Sequence, residues 1–282
     1  MENKYSDGRF NISSETLGLM GKSKIGVFII NYNAVDFLTE TIKRIPAEIY
    51  DVVQEIFVVD DCSKDGSYES AVKYKEENQD SKLTVHKNVN NQGYGGNQKV
   101  GYQYAIDKGF DYVALVHGDG QYAPEALGYL LAPFFEENAD MVFGSRMSEK
   151  GNALKGGMPT YKYYGNKILT TIQNKLTGLN LSEYHSGYRL YSVDALKNIN
   201  FQSFVNTWHF DTQIILALAE RDRKIMEKPI PTYYGDEICH VNGIPYAMNC
   251  ILTSYKYYQN KKKNILSYPG PMDIPKIIDN GQ

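Results

Sequence analysis

The chain has 282 residues, 42% of them hydrophobic and 22% charged, and a formal net charge of -3. That supports one large domain, or two small ones, with a real apolar core, and it provides no basic field to draw in nucleic acid. Three cysteines, Cys62, Cys239 and Cys250, are too sparse and odd in number for a disulfide framework and fit a reducing compartment. No run approaches the roughly 18 apolar residues of a membrane span, and the polar residues 1–18 lack the apolar centre of a signal peptide. The expected location is therefore cytoplasmic. Tyrosine is abundant at 24 copies, a ring with a polar tip that serves equally as core filler or as a sugar-stacking surface.

Residues 1–22 read as a flexible leader. Residues 24–31 then form an apolar run of strand length, and residues 35–45 carry helical spacing (Phe37, Leu38, Ile42, Ile45) that stops before Pro46. Strands follow at 55–60, 83–86, 112–117 and 141–144. Helices alternate with them at 66–78, 96–108 and 124–137, the second closed by Gly109 and the third opened by Pro124. Apolar strands alternating with helices predict an α/β fold, a mainly parallel sheet with helices on both faces. The second half is more varied. A Gly-rich loop at 151–159 containing Lys155 reads as a mobile lid, followed by a helix at 161–176, a turn-rich then extended stretch at 183–191, a helix at 208–221 and a strand at 224–231. A last helix at 247–258 precedes Lys261-Lys262-Lys263 and a Pro-containing tail. There is no internal repeat; the domain proper is expected over 23–245, with a C-terminal helix and tail over 246–282.

Ligands of open α/β sheets sit beyond the carboxyl ends of the strands. Three polar clusters fall there: Asn31-Tyr32-Asn33, Asp60-Asp61-Cys62-Ser63 and His117-Gly118-Asp119-Gly120-Gln121. Asp119 between two glycines lets a diphosphate and a hard cation approach closely; Gln121 adds an oxygen and His117 a nitrogen, although Asp-Gly is also a plain turn. Asp60 or Asp61 suits a base or ribose, yet either could simply cap the next helix. Asn91-Gln92-Gly93-Tyr94-Gly95 opens a helix whose amides a ligand could reach. Arg146 and Arg189 suit phosphate oxygens, with ordinary surface arginines as the alternative. Asp211 stands at a helix start, where it is either an N-terminal charge or a base. The spacing of Asp236, Cys239 and His240 matches no standard zinc site and is read as structural. No Gly-rich dinucleotide fingerprint or phosphate loop follows the first strand, which argues against a dehydrogenase or a nucleotidyltransferase.

In order and spacing these motifs together resemble the family-2 glycosyltransferases of GT-A fold, among them the dolichyl- and polyprenyl-phosphate sugar transferases. The likeness covers about residues 24–235 and includes Gly144-Ser145-Arg146, Ser186-Gly187-Tyr188-Arg189 and Phe210-Asp211. It implies a nucleoside-diphosphate sugar donor, inversion at the anomeric carbon, and a divalent cation, Mn2+ or Mg2+. It further implies Asp60 or Asp61 on the base and ribose, Asp119 and Gln121 near the cation and diphosphate, and Arg146 and Arg189, as catalytic residues, near the acceptor or leaving phosphates; Asn31, Tyr32, Asn33 and Gly95 are further candidate donor contacts, His117 a candidate metal ligand and Asp211 the candidate catalytic base. His117 stands where the family pattern has an acid, which lowers the site's negative charge and, if the imidazole ligates, favours manganese. The expected acceptor is a polyprenyl phosphate, met at the inner face of the membrane, with a saccharide or other glycan hydroxyl as the alternative. Peripheral membrane contact through residues 247–263 and a homo-oligomer are both compatible with the sequence, as is a non-catalytic nucleotide-sugar-binding module.

Overall fold

The computed structural model describes residues 10–232, 234 and 242–268. The Asp236, Cys239 and His240 cluster and the tail from Pro269 lie outside them. Among the described residues seven strands form one sheet: β1 (Ile25–Asn31), β2 (Glu55–Asp60), β3 (Leu83–Lys87), β4 (Tyr112–His117), β5 (Met141–Ser145), β6 (Arg189–Ser192) and β7 (Ile225–Pro229). Their order is β3-β2-β1-β4-β6-β5-β7. Neighbours pair in parallel except β6, which is antiparallel to β4 and β5. The helices are α1 (Ser14–Met20), α2 (Leu38–Lys43), α3 (Ala47–Val52), α4 (Ser67–Glu77), α5 (Gly93–Asp107), α6 (Leu127–Glu136), α7 (Asn152–Lys155), α8 (Thr160–Thr177), α9 (Val193–Lys197), α10 (Phe210–Ala219) and α11 (Gly243–Lys262).

Successive side chains of a strand point to opposite faces, and both faces are buried here. Val27, Ile29, Ile56 and Val58 pack with Met20 of α1, Ile42 of α2, Ile49 of α3, Ala71 of α4 and Leu130 of α6. Phe28, Ile30, Phe57 and Val59 pack on the other side with Tyr102 of α5, Leu196 of α9, Ile214 of α10 and Tyr257 of α11. The expected α/β architecture, a mainly parallel sheet with helices on both faces, is the one observed. The register sets Asn31 beside Asp60 and Ile30 beside His117, so the carboxyl ends of β1, β2 and β4 finish together.

Several local expectations need correction. The supposed leader is helical over Ser14–Met20, capped by the Ser13 hydroxyl, which accepts from the Thr16 amide at 3.0 Å. The Thr16 hydroxyl donates to Glu136 of α6 at 2.6 Å. Pro46 does not simply end a helix: it is the N-cap of α3, a further short helix. The last helix begins at Gly243 and packs along α8 and α10, with Gln173 donating to Ser254 at 3.4 Å. It belongs to the same body as the rest, so packing continues past the boundary expected at 245.

Gly101 of α5 shows how tightly a helix meets the sheet: a Cβ there would fall 2.2 Å from the Phe28 ring. Helix propensity alone makes Gly→Ala worth about 1 kcal/mol of stability, whereas overpacking a filled core costs about 1–3 kcal/mol. Packing wins, so Gly101→Ala should lower the urea midpoint with the m-value unchanged. A raised midpoint would show that the Phe28 contact is soft.

Candidate functional site

A cavity of about 1040 Å³ opens where β1, β2 and β4 end. Its polar end is lined by Asn31, Tyr32, Asp61, Asn91, Gly93, Asn97 and Asp119. The Asp119 carboxylate is oriented by its own loop, accepting from the Gln121 amide at 3.0 Å, and Gly120 beside it has φ +69°. Gly118 has no room for a side chain, since a Cβ would meet the Asn31 Oδ1 at 2.6 Å. Asp61 faces the cavity but accepts from the Gln92 and Gly93 amides at 2.7 and 3.0 Å and from Asn88 at 2.9 Å. It therefore caps α5 from across the sheet, a favourable place for a carboxylate, while burial pushes its pKa up.

Deeper in, Asp211 is the hub. Oδ1 accepts from Gln98 at 3.0 Å, Oδ2 accepts from the Tyr94 hydroxyl at 3.1 Å, and the Arg189 guanidinium lies 3.5 Å away. Tyr94 stacks on Trp208 with ring centroids 4.5 Å apart, and its hydroxyl lies 3.4 Å from His117 Nε2. Burial lowers the His117 pKa against the opposing fields of Asp119 and Asp211. At the far end Arg146 is clamped on Glu183, with Nη2 donating at 2.5 Å and the backbone amide at 2.6 Å, while Nη1 donates to the Tyr234 hydroxyl at 2.9 Å. Burial opposes the Arg146 charge, but the Glu183 carboxylate outweighs it and holds the guanidinium above its ordinary range. The remaining wall comes from α8 and α11: Tyr161, Lys162, Asn166, Leu169, Ile244, Tyr246 and Ala247.

Of the residues expected in the site, Asn31, Tyr32, Asp61, Asp119, Gln121, His117, Arg146 and Asp211 line the cavity, whereas Asn33, Asp60, Gly95 and Arg189 do not. The reasons are physical. Asp60 is fully buried and accepts from Asn31 Nδ2 and the Ser63 amide. Asn33 ties the β1 and β2 loops together through Lys64 and Ser63. Gly95 is a close-approach glycine, a Cβ there meeting the Val205 carbonyl at 2.6 Å. Arg189 is fully buried and spends its donors on the Ser186, Asp211 and Tyr184 carbonyls. His117 directs Nε2 at Tyr94 and Gly187, and the described residues contain no cluster of three His, Cys, Asp or Glu able to hold a metal. The 151–159 segment is anchored, with Ala153 and Met158 buried against Met147 and Tyr163.

Comparison with known proteins decides the family. The Glycosyl transferase family 2 pattern matches residues 26–199. The chain belongs to this family. As a family-2 glycosyltransferase it is an enzyme, which retires the non-catalytic module. It is 27% identical over 208 residues to the undecaprenyl-phosphate mannosyltransferase of Micrococcus luteus, covering 73% of this chain and 82% of that protein. It is 28% identical over 227 residues to the UDP-N-acetylglucosamine–dolichyl-phosphate N-acetylglucosaminyltransferase of Methanococcus voltae, covering 77% and 88%. The fold resembles the crystal structure of mannosyl-3-phosphoglycerate synthase from Rubrobacter xylanophilus, with a TM-score of 0.64, 14% identity and 92% and 82% coverage. It also resembles glucosyl-3-phosphoglycerate synthase from Mycobacterium tuberculosis in complex with Mn2+, UDP and glucosyl-3-phosphoglycerate, with a TM-score of 0.60, 13% identity and 92% coverage of both chains.

In this glycosyltransferase, Gln98, Trp208, Glu183 and His185 stand outside the sequence motifs, and Tyr94, inside one, acts through its side chain and not only through a helix amide. Trp208 is the one tryptophan in the chain, and Glu183 opens the turn-rich 183–191 stretch; these were the available signals. His185 pairs Nδ1 with the Tyr246 hydroxyl at 2.8 Å, and its Nε2 is sealed from solvent with no partner among the described residues. Burial pushes its pKa from 6.5 down to about 3. Between those values the unfolded chain binds the proton and the folded protein does not, so stability falls as pH drops through this window. Urea titrations at several pH values should show His185→Gln losing less stability on acidification than wild type, by about 1.4 kcal/mol per pH unit. Identical slopes would contradict the burial of a neutral imidazole.

Proposed function

We propose that this glycosyltransferase moves a sugar, with inversion, from a nucleoside-diphosphate sugar onto a polyprenyl phosphate and requires a divalent cation. The observation that carries the reading is the two-ended character of the cavity. One end is polar and sits at the strand ends, where Asp119 and the start of α5 suit a nucleoside diphosphate. The other is lined by Met158, Tyr161, Leu169, Ile244 and Ala247, with Lys162 and Arg146 among them, which suits a phosphate on an apolar chain. Relatives named for undecaprenyl and dolichyl phosphate support the acceptor; a protein of the same fold in complex with Mn2+ and UDP supports the donor and the cation.

Asp119 is the carboxylate fitted to hold the cation, with Gln121 beside it. Magnesium and manganese sites of this kind use one or two carboxylates and complete the shell with substrate phosphates and water, which matches the short protein ligand set. With His117 turned to Tyr94, the argument for manganese over magnesium lapses. When bound, the cation supplies positive charge against the departing diphosphate. The cavity must seat the acceptor on the opposite face of the anomeric carbon, and Lys162 stands on that wall, the Arg146 charge being already paired with Glu183. A phosphate nucleophile is already anionic and needs no base. Asp211 is poorly placed to be one, because both its oxygens accept from Tyr94 and Gln98 and a guanidinium lies alongside. Its role is to position Tyr94 and, through it, His117 and Trp208.

Two variants test this. Asp119→Ala should abolish turnover and metal-dependent binding of nucleoside diphosphate while leaving the urea midpoint near wild type; unchanged kinetics would refute the cation site. Asp211→Asn, confirmed folded, should lose less than about tenfold in rate on a short-chain prenyl phosphate, because losing a positioned base costs about a hundred- to ten-thousand-fold. Turnover restricted to saccharide acceptors, with a loss of about a hundredfold or more in that variant, would transfer the reading to a hydroxyl acceptor and restore Asp211 as base.

A further inference from the structure

A surface helix of a globular protein turns its apolar stripe toward the core. Helices α8 and α11 do so with Tyr163, Leu169 and Gln173, and with Cys250, Ser254 and Tyr257. Each also carries a second apolar stripe on the side away from those residues. On α8 it runs Tyr161, Tyr164, Ile168 and Ile172, with Tyr161 73% and Ile168 63% exposed. On α11 it runs Ile244, Met248, Leu252 and Tyr255, with Ile244 79% and Leu252 58% exposed. Steps of three and four residues keep each stripe on one side of its helix. The two helices pack on each other, so the stripes occupy neighbouring surfaces, and exposed Ile265 and Leu266 follow directly after α11.

The charges beside these stripes have one sign. Neither helix contains an Asp or Glu; α8 carries Lys162, Lys167 and Lys175, and α11 carries Lys256, Lys261 and Lys262, with Lys263 next. In a chain of net charge -3 this is a local reversal. Among the described residues no helix is long and apolar enough to cross a membrane.

We propose that the α8 and α11 side of the protein docks on the headgroup layer of an anionic lipid bilayer. Exposed apolar side chains interleaved with lysines match an interface that is apolar below and negative above. A second copy of this chain fits less well, because pairing this face with itself sets lysines against lysines. The placement also serves the site. The first turns of both helices, through Tyr161, Lys162 and Ile244, line the cavity, so docking brings its mouth to the level where a lipid-linked phosphate lies. The purpose of the surface rests on the polyprenyl-phosphate reading; Tyr161 and Ile244 belong to both cavity and surface, whereas Tyr164, Ile168, Ile172, Met248, Leu252 and Tyr255 lie outside the cavity lining.

The test is flotation of the full chain with vesicles of phosphatidylcholine alone or mixed with phosphatidylglycerol. Wild type should float with the mixed vesicles, bind neutral ones much less, and be released by salt. The variant Ile168→Glu/Met248→Glu/Leu252→Glu changes three exposed residues outside the cavity lining. It should bind mixed vesicles at least about tenfold more weakly, with wild-type thermal stability and wild-type turnover on a short-chain prenyl phosphate without vesicles. Lys256→Gln/Lys261→Gln should lose about fivefold for each lysine removed. Flotation of the triple variant like wild type, or equal binding to neutral vesicles, would overturn the proposal. So would a wild-type dimer that the triple variant dissociates without vesicle binding, which would make the face an interface between copies. Failure of turnover on the short-chain acceptor, with flotation intact, counts against the acceptor reading alone.

Discussion

A fully buried guanidinium organises the centre of this enzyme. Arg189 opens β6 with no solvent contact, and a charge taken out of water is tolerated only when paired and hydrogen-bonded. The partners are the Asp211 carboxylate and the carbonyls of Tyr184, Ser186 and Asp211. They come from the turn before β6 and from the first residues of α10, so the pair joins the reversed strand to the helix that covers it. Asp211 passes the constraint on through Tyr94 and Gln98 of α5, and Tyr94 in turn reaches His117 at the end of β4. One buried charge thus fixes four elements around the cavity, and breaking such a pair from one side costs about 3–5 kcal/mol.

The Arg146–Glu183 pair repeats the device at the other end. Glu183 is fully buried and accepts from the Arg146 side chain, the Arg146 amide and Asn166 of α8. It lies six residues before Arg189, so one turn-rich segment anchors both ion pairs. That gives the reversed direction of β6 a purpose. An antiparallel strand between β4 and β5 carries residues 183–187 to the same edge of the sheet as the ends of β1, β2 and β4. Neutralised pairs then form the floor, and Asp119 remains at the polar end.

The alternation of strands and helices was legible because strands buried on both faces read as unbroken apolar runs, as in β1 and β4. The short helices α1, α3, α7 and α9 were not, because too few turns fit within them to show a period. The positions of Asn31, Asp61 and Asp119 could be read from strand ends. Their division of labour could not: Asp60 and Asp61 are adjacent carboxylates, and only the direction of each side chain separates the one buried under Asn31 from the one facing the cavity. Arg189 misleads for a related reason. An arginine after a glycine-rich turn has the chemistry of a phosphate ligand, and nothing local reveals that three carbonyls and a carboxylate already occupy it. Gln98 is missed because a polar residue on a helix looks like surface until another helix covers it.

The two halves of the cavity are built differently. The floor is fixed by ion pairs and by glycines with no room for a Cβ: Gly95 against Val205, Gly118 against Asn31, Gly187 against His117. Such a floor cannot be altered by single substitutions without overpacking. The outer wall of α8 and α11 is joined by packing and by the Gln173–Ser254 hydrogen bond of 3.4 Å, and its exposed cavity-lining residues Tyr161 and Ile244 sit on helix first turns. Changes at these two cost little core energy. Single substitutions are therefore better tolerated on the outer wall than on the floor.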